Sequence, residues 1–260
     1  MPKVRVYLFG YPRVECDGAS VAVPRRKALA LLAYLGVTQT HHSRDVLASL
    51  LWPEEESAKG YAFLRNALWV LHQTPVDPWI VASRHMVGLQ PDASLWVDVA
   101  EFRRLVKTCQ HHRHAPSELC EEGVAALREA AELARDGFLS GFVAEDTRSF
   151  EEWQFSEADA LAQELASTFE RLCEHLIQAG DGASALHYAQ RLIGARPLDE
   201  PAYCRLMRLQ ARGGDRAGAL RTFDECVRVL DLELSLEPSD ETRRLAEEIR
   251  SQSWTPPHEP

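Results

Sequence analysis

A tryptophan-proline pair at positions 52 and 53 constrains this chain more than any other feature. It separates two helix-like segments, "SRDVLASLL" and "SAKGYAFLRNALWVLHQ". The residue before a proline is pushed out of the α region, so the first helix must end at Trp52. Ser43 is placed to cap that helix, and Asp45 sits in its first turn, where the helix dipole favours a negative charge. The second helix is expected from Ser57 to about His72. At about 100° per residue, Gly60, Leu64, Ala67, Leu68 and Leu71 fall on one side as a buried stripe. Lys59, Ala62, Asn66, Trp69 and Gln73 fall on the other, with Arg65 at its edge.

A surface helix with a purely structural role usually carries several acids on its open side. None lies between Ser57 and Gln73. Two readings are open: a helix packed in a bundle with a solvated face, or the second helix of a helix-turn-helix lying in DNA. The residue types suit the second. Asn pairs bidentately with adenine, Arg with guanine, and small residues allow close approach.

The flanks favour a winged helix. "KVRVYLFG" and "VECDGASVAV" read as short strands, the latter folded at Asp17-Gly18 as a hairpin. "RRKALALLAYLGV" follows Pro24 as a first helix, with Ala28, Leu31, Leu32 and Leu35 on one stripe. After the acid-free helix, "WIVAS" and "MVGLQ" flank Arg84-His85 as a second hairpin, with "SLWVDV" as a possible further strand. The order is strands, three helices, hairpin. Arg25 and Arg26, with Lys27, begin the first helix, Arg44 begins the second, and Arg84 stands at the expected wing tip. These are the candidates for phosphate contacts, which position a protein without reading sequence. Each alone is more often just a surface charge.

From Asp98 the pattern is almost wholly helical, with loops expected near "HHRHAPS" and "SGFVAEDT". "AGDGASALHYAQRLI" and "GGDRAGALRTFDECV" form an internal repeat, with Gly180-Asp181 and Gly214-Asp215 at an offset of 34. That is the period of tetratricopeptide helical hairpins. The tail "SWTPPHEP" reads as a disordered end or linker. The expected division is therefore residues 1–97 as the winged helix, 98–250 as the helical domain and 251–260 as the tail. Charge divides the same way: residues 1–97 hold 10 Lys+Arg against 8 Asp+Glu, and residues 98–260 hold 19 against 31. The overall class is mainly α with small β hairpins.

Other functions find little support. No apolar run approaches the roughly 20 residues of a membrane span. "MPKVRVYLFGYP" lacks the apolar core and cleavage site of a signal peptide, so the expected location is the cytoplasm, beside the nucleoid. Six scattered cysteines, Cys16, Cys109, Cys120, Cys173, Cys204 and Cys226, read as buried or free thiols. "CQHHRHAPSELC" clusters three histidines, but no zinc-finger spacing is met and a polar loop is the simpler reading. No glycine-rich phosphate loop or nucleophile motif is present, so neither a cofactor nor an enzymatic activity is expected. The apolar stripe of "EEGVAALREAAELARDGFLSGF" is assigned to the core of the helical domain.

Taken in order, "LFGYPRV", "VPRRKALALLAYL", "SRDVLASLLWPEE", "FLRNALWVL", "WVDVAEFRRLV", "DGFLSGF" and "LIGARPLDEPAYCRLMRLQARGGDRAGALRTFDECVRVLDLELSLEPSDET" resemble the Streptomyces antibiotic regulatory protein family. The match runs from about Lys3 to Ile249. Members join an OmpR-like winged helix to a bacterial transcriptional activator domain of tetratricopeptide type. The resemblance implies transcriptional activation, binding to double-stranded promoter DNA as dimers on direct repeats, and contact with RNA polymerase through its sigma subunit. It also implies control of secondary-metabolite genes. The chain departs from the family at Trp69-Val70, where a polar and a basic residue are usual, and at His72, where an Arg is usual. These losses would remove phosphate-binding charge from the recognition helix and weaken binding. Trp69 is open to three readings: packing on thymine methyls, contact with a protein partner, or a displaced core residue. A rival to the activator is a protein-interaction or adaptor module whose winged helix no longer reads DNA, the regulatory front end of a larger signalling protein.

Overall fold

The computed structural model describes residues 3–90, 92, 94–110 and 119–251. By packing, the described residues form two compact units. One is drawn from Met1–His111 with Arg128–Leu161, the other from His112–Leu127 with Ala162–Pro260. The expected boundary at 97/98 thus lies inside the first unit. Of the expected tail, 251–260, Ser251 is the last residue of a helix and 252–260 lie outside the described residues.

The first unit opens with a four-stranded sheet in the order β3-β2-β1-β7, built from β1 (Val4–Tyr7), β2 (Arg13–Cys16), β3 (Ala19–Val21) and β7 (Leu95–Val97). The β2-β3 hairpin turns at Asp17-Gly18, both at positive φ, as the Asp-Gly dipeptide predicts. The segment "SLWVDV" does form a strand, but it joins this sheet, parallel to β1, rather than the wing. Three helices follow β3: α1 (Arg26–Thr38), α2 (Arg44–Leu51) and α3 (Ser57–His72). A second sheet holds β4 (His42–Ser43), β6 (Met86–Leu89) and β5 (Ile80–Ala82) in that order, so β5 and β6 make the expected hairpin. The arrangement is a winged helix.

What ties this body together is Asp98, the first residue of α4 (Asp98–Gln110). Its carboxylate, 2% exposed, accepts the N–H groups of Leu8 at 2.8 and 2.9 Å, Phe9 at 2.9 Å and Val99 at 2.7 Å. Burial pushes its carboxyl up to about 6, against the downward pull of those N–H donors. On its other edge the same stretch meets the loop after α5 (Glu121–Leu133): Leu139 donates its N–H to Leu8 O at 2.8 Å, and Gly10 to Gly137 O at 2.8 Å. Phe138 packs on Trp153 of α6 (Arg148–Gln178), and Trp153 in turn meets Tyr34 of α1 at 4.9 Å between ring centres. The expectation that "EEGVAALREAAELARDGFLSGF" serves only the helical domain is therefore corrected. Its helix stops at Leu133, and its second half packs in the first unit, because Phe138 and Leu139 find their apolar partners beside β1.

The second unit shows why the repeat has its period. Its helices after α6 are α7 (Gly182–Ala195), α8 (Glu200–Arg212), α9 (Arg216–Leu234) and α10 (Asp240–Ser251). Gly180 and Gly214 lie at φ +74° and +83°, the left-handed turn that closes a helix at lowest cost with glycine. Asp181 donates its N–H to Leu176 O at 2.9 Å, and Asp215 to Gln210 O at 2.9 Å, the same closure one repeat apart. Each aspartate then caps the next helix, accepting Ser184 N–H at 3.1 Å and Gly218 N–H at 2.8 Å. Ala185 and Ala219 are fully buried where paired helices approach.

Asp98→Ala would leave the Leu8 and Phe9 N–H groups buried without an acceptor. At about 1–3 kcal/mol for each such group, we expect a loss of roughly 3 kcal/mol in urea unfolding followed by circular dichroism. An unchanged midpoint would show that the carboxylate does not hold the unit together.

Candidate nucleic-acid interface

The turn between α2 and α3 is fixed from both sides. Ser43 accepts Val46 N–H at 3.2 Å and caps α2, and Trp52 closes it by donating to Ala48 O at 2.8 Å. Glu55 N–H then returns to Trp52 O at 3.2 Å. Gly60 crosses Ala48 so closely that an added Cβ would stand 3.4 Å from the alanine methyl. Tyr61 of α3 donates its hydroxyl to Asp45 of α2, and that bond holds the phenol proton more tightly than usual. With these restraints α3 buries Gly60, Leu64, Ala67, Leu68 and Leu71, the predicted stripe, and Val70 as well.

The opposite face is open. Lys59, Ala62, Arg65, Trp69 and Gln73 are exposed and Asn66 is half-buried. Trp69 is 62% exposed, so its core reading falls. Val70 is 4% exposed, so the residue in that place belongs to the core and its identity removes no phosphate contact. Lys59 pairs with Glu55 at 3.8 Å, and His72 hydrogen-bonds Asp77. Arg65 forms no ion pair among the described residues. Gln73 stands one position past the helix as its cap, donating to Val70 O at 3.1 Å.

The wing is braced against α2. Its tip turns over Ser83–His85, where Ser83 Oγ accepts Met86 N–H at 3.0 Å. Arg44 donates its backbone N–H to His85 O and its Nε to Ser83 O, both at 3.0 Å. That guanidinium therefore holds the hairpin against the start of α2, with one nitrogen already occupied. Arg84 projects from the tip, exposed and without an ion pair among the described residues. The strand β4, only two residues long, ties the wing to the chain before α2 through His42 opposite Val87. No periodic signal announces so short a strand.

At the start of α1, Arg25 is exposed, but the two cations after it are not free. Arg26 donates to Val143 O at 3.5 Å and pairs with Glu145 at 3.6 Å. Lys27 donates to Leu51 O at 3.0 Å and to Asp146 O at 3.3 Å, and its partial burial lowers its pKa despite the neighbouring acids Asp146 and Glu55. Arg25, Arg26, Lys27, Trp52, Phe63 and Asn66 line a groove of about 520 Å³ whose far wall is Glu145 and Asp146. The site thus contains two carboxylates from the distant loop "SGFVAEDT". Their charge was visible there, and their address was not.

Among the described residues no three His, Cys, Asp or Glu side chains come together as a metal site, and no helix is long and apolar enough to cross a membrane. The histidines at 111, 112 and 114 lie outside the described residues.

A winged helix with a braced wing, joined to a tetratricopeptide-like helical array, defines a class of regulatory architecture. Residues 97–250 match the bacterial transcriptional activator domain, and the chain belongs to that family, the one to which its resemblance to the Streptomyces antibiotic regulatory proteins points. The structure of Mycobacterium tuberculosis EmbR in complex with a low affinity phosphopeptide is similar in fold, with a TM-score of 0.70 at 20% identity. The match covers 97% of this chain and 66% of that one, so this chain spans just under two thirds of the relative's length. No curated protein matches the chain.

The two faces of α3 predict opposite mutational costs. Leu68→Ala should destabilise by about 2–5 kcal/mol in thermal or urea unfolding, through lost burial and a cavity. Trp69→Ala should change stability by less than about 0.5 kcal/mol. Equal costs would mean that α3 is turned otherwise than described.

Proposed function

We propose that this protein is a sequence-specific DNA-binding activator of transcription, with residues 1–97 as the DNA-binding part and 98–250 as the part that meets other proteins. The observation that carries the reading is the acid-free open face of α3, which follows a helix whose Arg44 braces the wing. In this reading α3 lies in the major groove, with Arg65 and Asn66 as base readers and Ala62, Lys59, Trp69 and Gln73 around them. Arg25 and Arg84 take phosphates, and Arg26 and Arg44 reach them only with the groups not already bonded. The acidic helical part is repelled by DNA and works beside it. Family membership supports promoter binding as a dimer on direct repeats, recruitment of RNA polymerase through its sigma subunit, control of secondary-metabolite genes, and action in the cytoplasm at the nucleoid.

One observation favours the adaptor reading. Trp69 offers a large apolar surface on the face, and two of the candidate DNA-contacting cations, Arg26 and Lys59, are already matched. Selection of bound sites from random duplex DNA, followed by titration at two salt concentrations, separates the two. Salt-dependent, sequence-selective binding supports the activator, and its absence supports the adaptor. Arg65→Ala combined with Asn66→Ala should abolish selective binding while leaving the unfolding midpoint in place. Normal binding by that variant would show that the wrong face was assigned.

A further inference from the structure

Arg25, Arg26 and Lys27 are consecutive cations at the start of α1, whose first turn carries no acid. Such a cluster beside a recognition helix draws DNA phosphates. Here two acids from a distant part of the sequence stand against it. The partners are 117 positions apart for Arg26 and Val143 and 119 for both Lys27–Asp146 and Arg26–Glu145, so nothing local requires the meeting.

The loop that carries the acids is built, not draped. Ala144 and Thr147 are buried, and the Thr147 hydroxyl donates to Ala144 O. Gln154 Nε2 bonds both Leu139 O and Phe142 O at 3.4 Å just upstream. Asp146 sits at φ +54°, a conformation that Asp and Asn tolerate better than other side chains. The two cations are held differently. Lys27 is anchored by two carbonyls. Arg26 meets Glu145 in the open, with side-chain exposures of 60% and 81%, and an exposed pair of this kind is weak enough for a phosphate to replace the carboxylate.

Resting on the DNA-binding reading above, we propose that Glu145 and Asp146 are a built-in competitor for DNA phosphates. Glu145 occupies Arg26, and with Asp146 it lines the groove that Asn66 also lines, so DNA gains this edge of the interface only by displacing the Glu145 carboxylate. The acidic pair thereby sets the affinity of the α3 face and the salt dependence of its binding.

The test uses the full chain and a DNA site selected from random sequence, with affinity read by fluorescence anisotropy at two salt concentrations. Glu145→Gln with Asp146→Asn should bind up to about fivefold more tightly, the most that an exposed ion pair of this kind is worth. The plot of log affinity against log salt should steepen by about 0.9 for the one phosphate gained. In an Arg26→Ala background the same two changes should give no gain. Glu145→Gln alone repeats the test without touching the backbone at Asp146. A gain of equal size with and without Arg26 would mean diffuse repulsion and overturn the proposal, as would no gain at all. If the native chain binds its site and the variants match it, only this proposal falls. If neither the native chain nor any variant binds DNA, the activator reading falls with it.

Discussion

A single carboxylate decides how this molecule is divided. Asp98 reaches across the sheet to the backbone of Leu8 and Phe9, 90 and 89 positions away, and joins the last strand of the winged helix to the helix that follows it. The strand β7 lies parallel to β1, and Asp98, directly after it, accepts the N–H groups of the residues that follow β1. The N–H of Leu8 is bound from one side by Asp98 while its carbonyl is bound from the other by Leu139. Part of the sequence after 97, residues 128–161 included, therefore packs in the same unit as the winged helix. A boundary drawn by composition at 97/98 follows the charge. The packing follows the hydrogen bonds.

The same contrast explains what could be read from sequence. Ser43, Trp52-Pro53 and the leucines of α3 act within a few residues of themselves, so the capped helix, the turn and the buried stripe were all legible. The tetratricopeptide period was legible for the same reason. Gly180-Asp181 and Gly214-Asp215 each close one helix and cap the next without help from afar. What was hidden depended on distant partners. Val70 lies near the edge of the stripe, and its burial is settled by what packs beside it. The pairing of β7 with β1, the docking of Phe138 beside Phe9, and the meeting of Glu145 with Arg26 leave no periodic trace.

The candidate interface was legible to the same partial extent. Its exposed members on α3 follow from helix geometry, and the structure brings Lys59, Ala62, Arg65, Trp69 and Gln73 to one open side. Asn66 is also there but half-covered, at the lip of a groove that sequence could not show. Arg44 was placed correctly at the start of α2, yet its bond to Ser83 O makes it a brace of the wing before it is anything else. A residue's position on an element follows from spacing, whereas its partners follow from tertiary structure.

That distinction bears on electrostatics. The first 97 residues carry only a small excess of cations, 10 against 8, and several of these are matched within the fold. Lys59 is paired with Glu55 and Arg26 with Glu145, and Lys27 and Arg44 are bonded to carbonyls, which leaves Arg25, Arg65 and Arg84 as the cations of this surface with neither an ion pair nor such a side-chain bond among the described residues. A surface of this kind cannot hold a duplex by charge alone, since non-specific affinity grows with the number of phosphates neutralised. Whatever selectivity it has must come from base-edge contacts on α3 and from the way α3 and the wing tip are each held against α2. The bracing of the wing by Arg44 and the close crossing of Gly60 over Ala48 matter for that reason. They hold the geometry constant where attraction is modest.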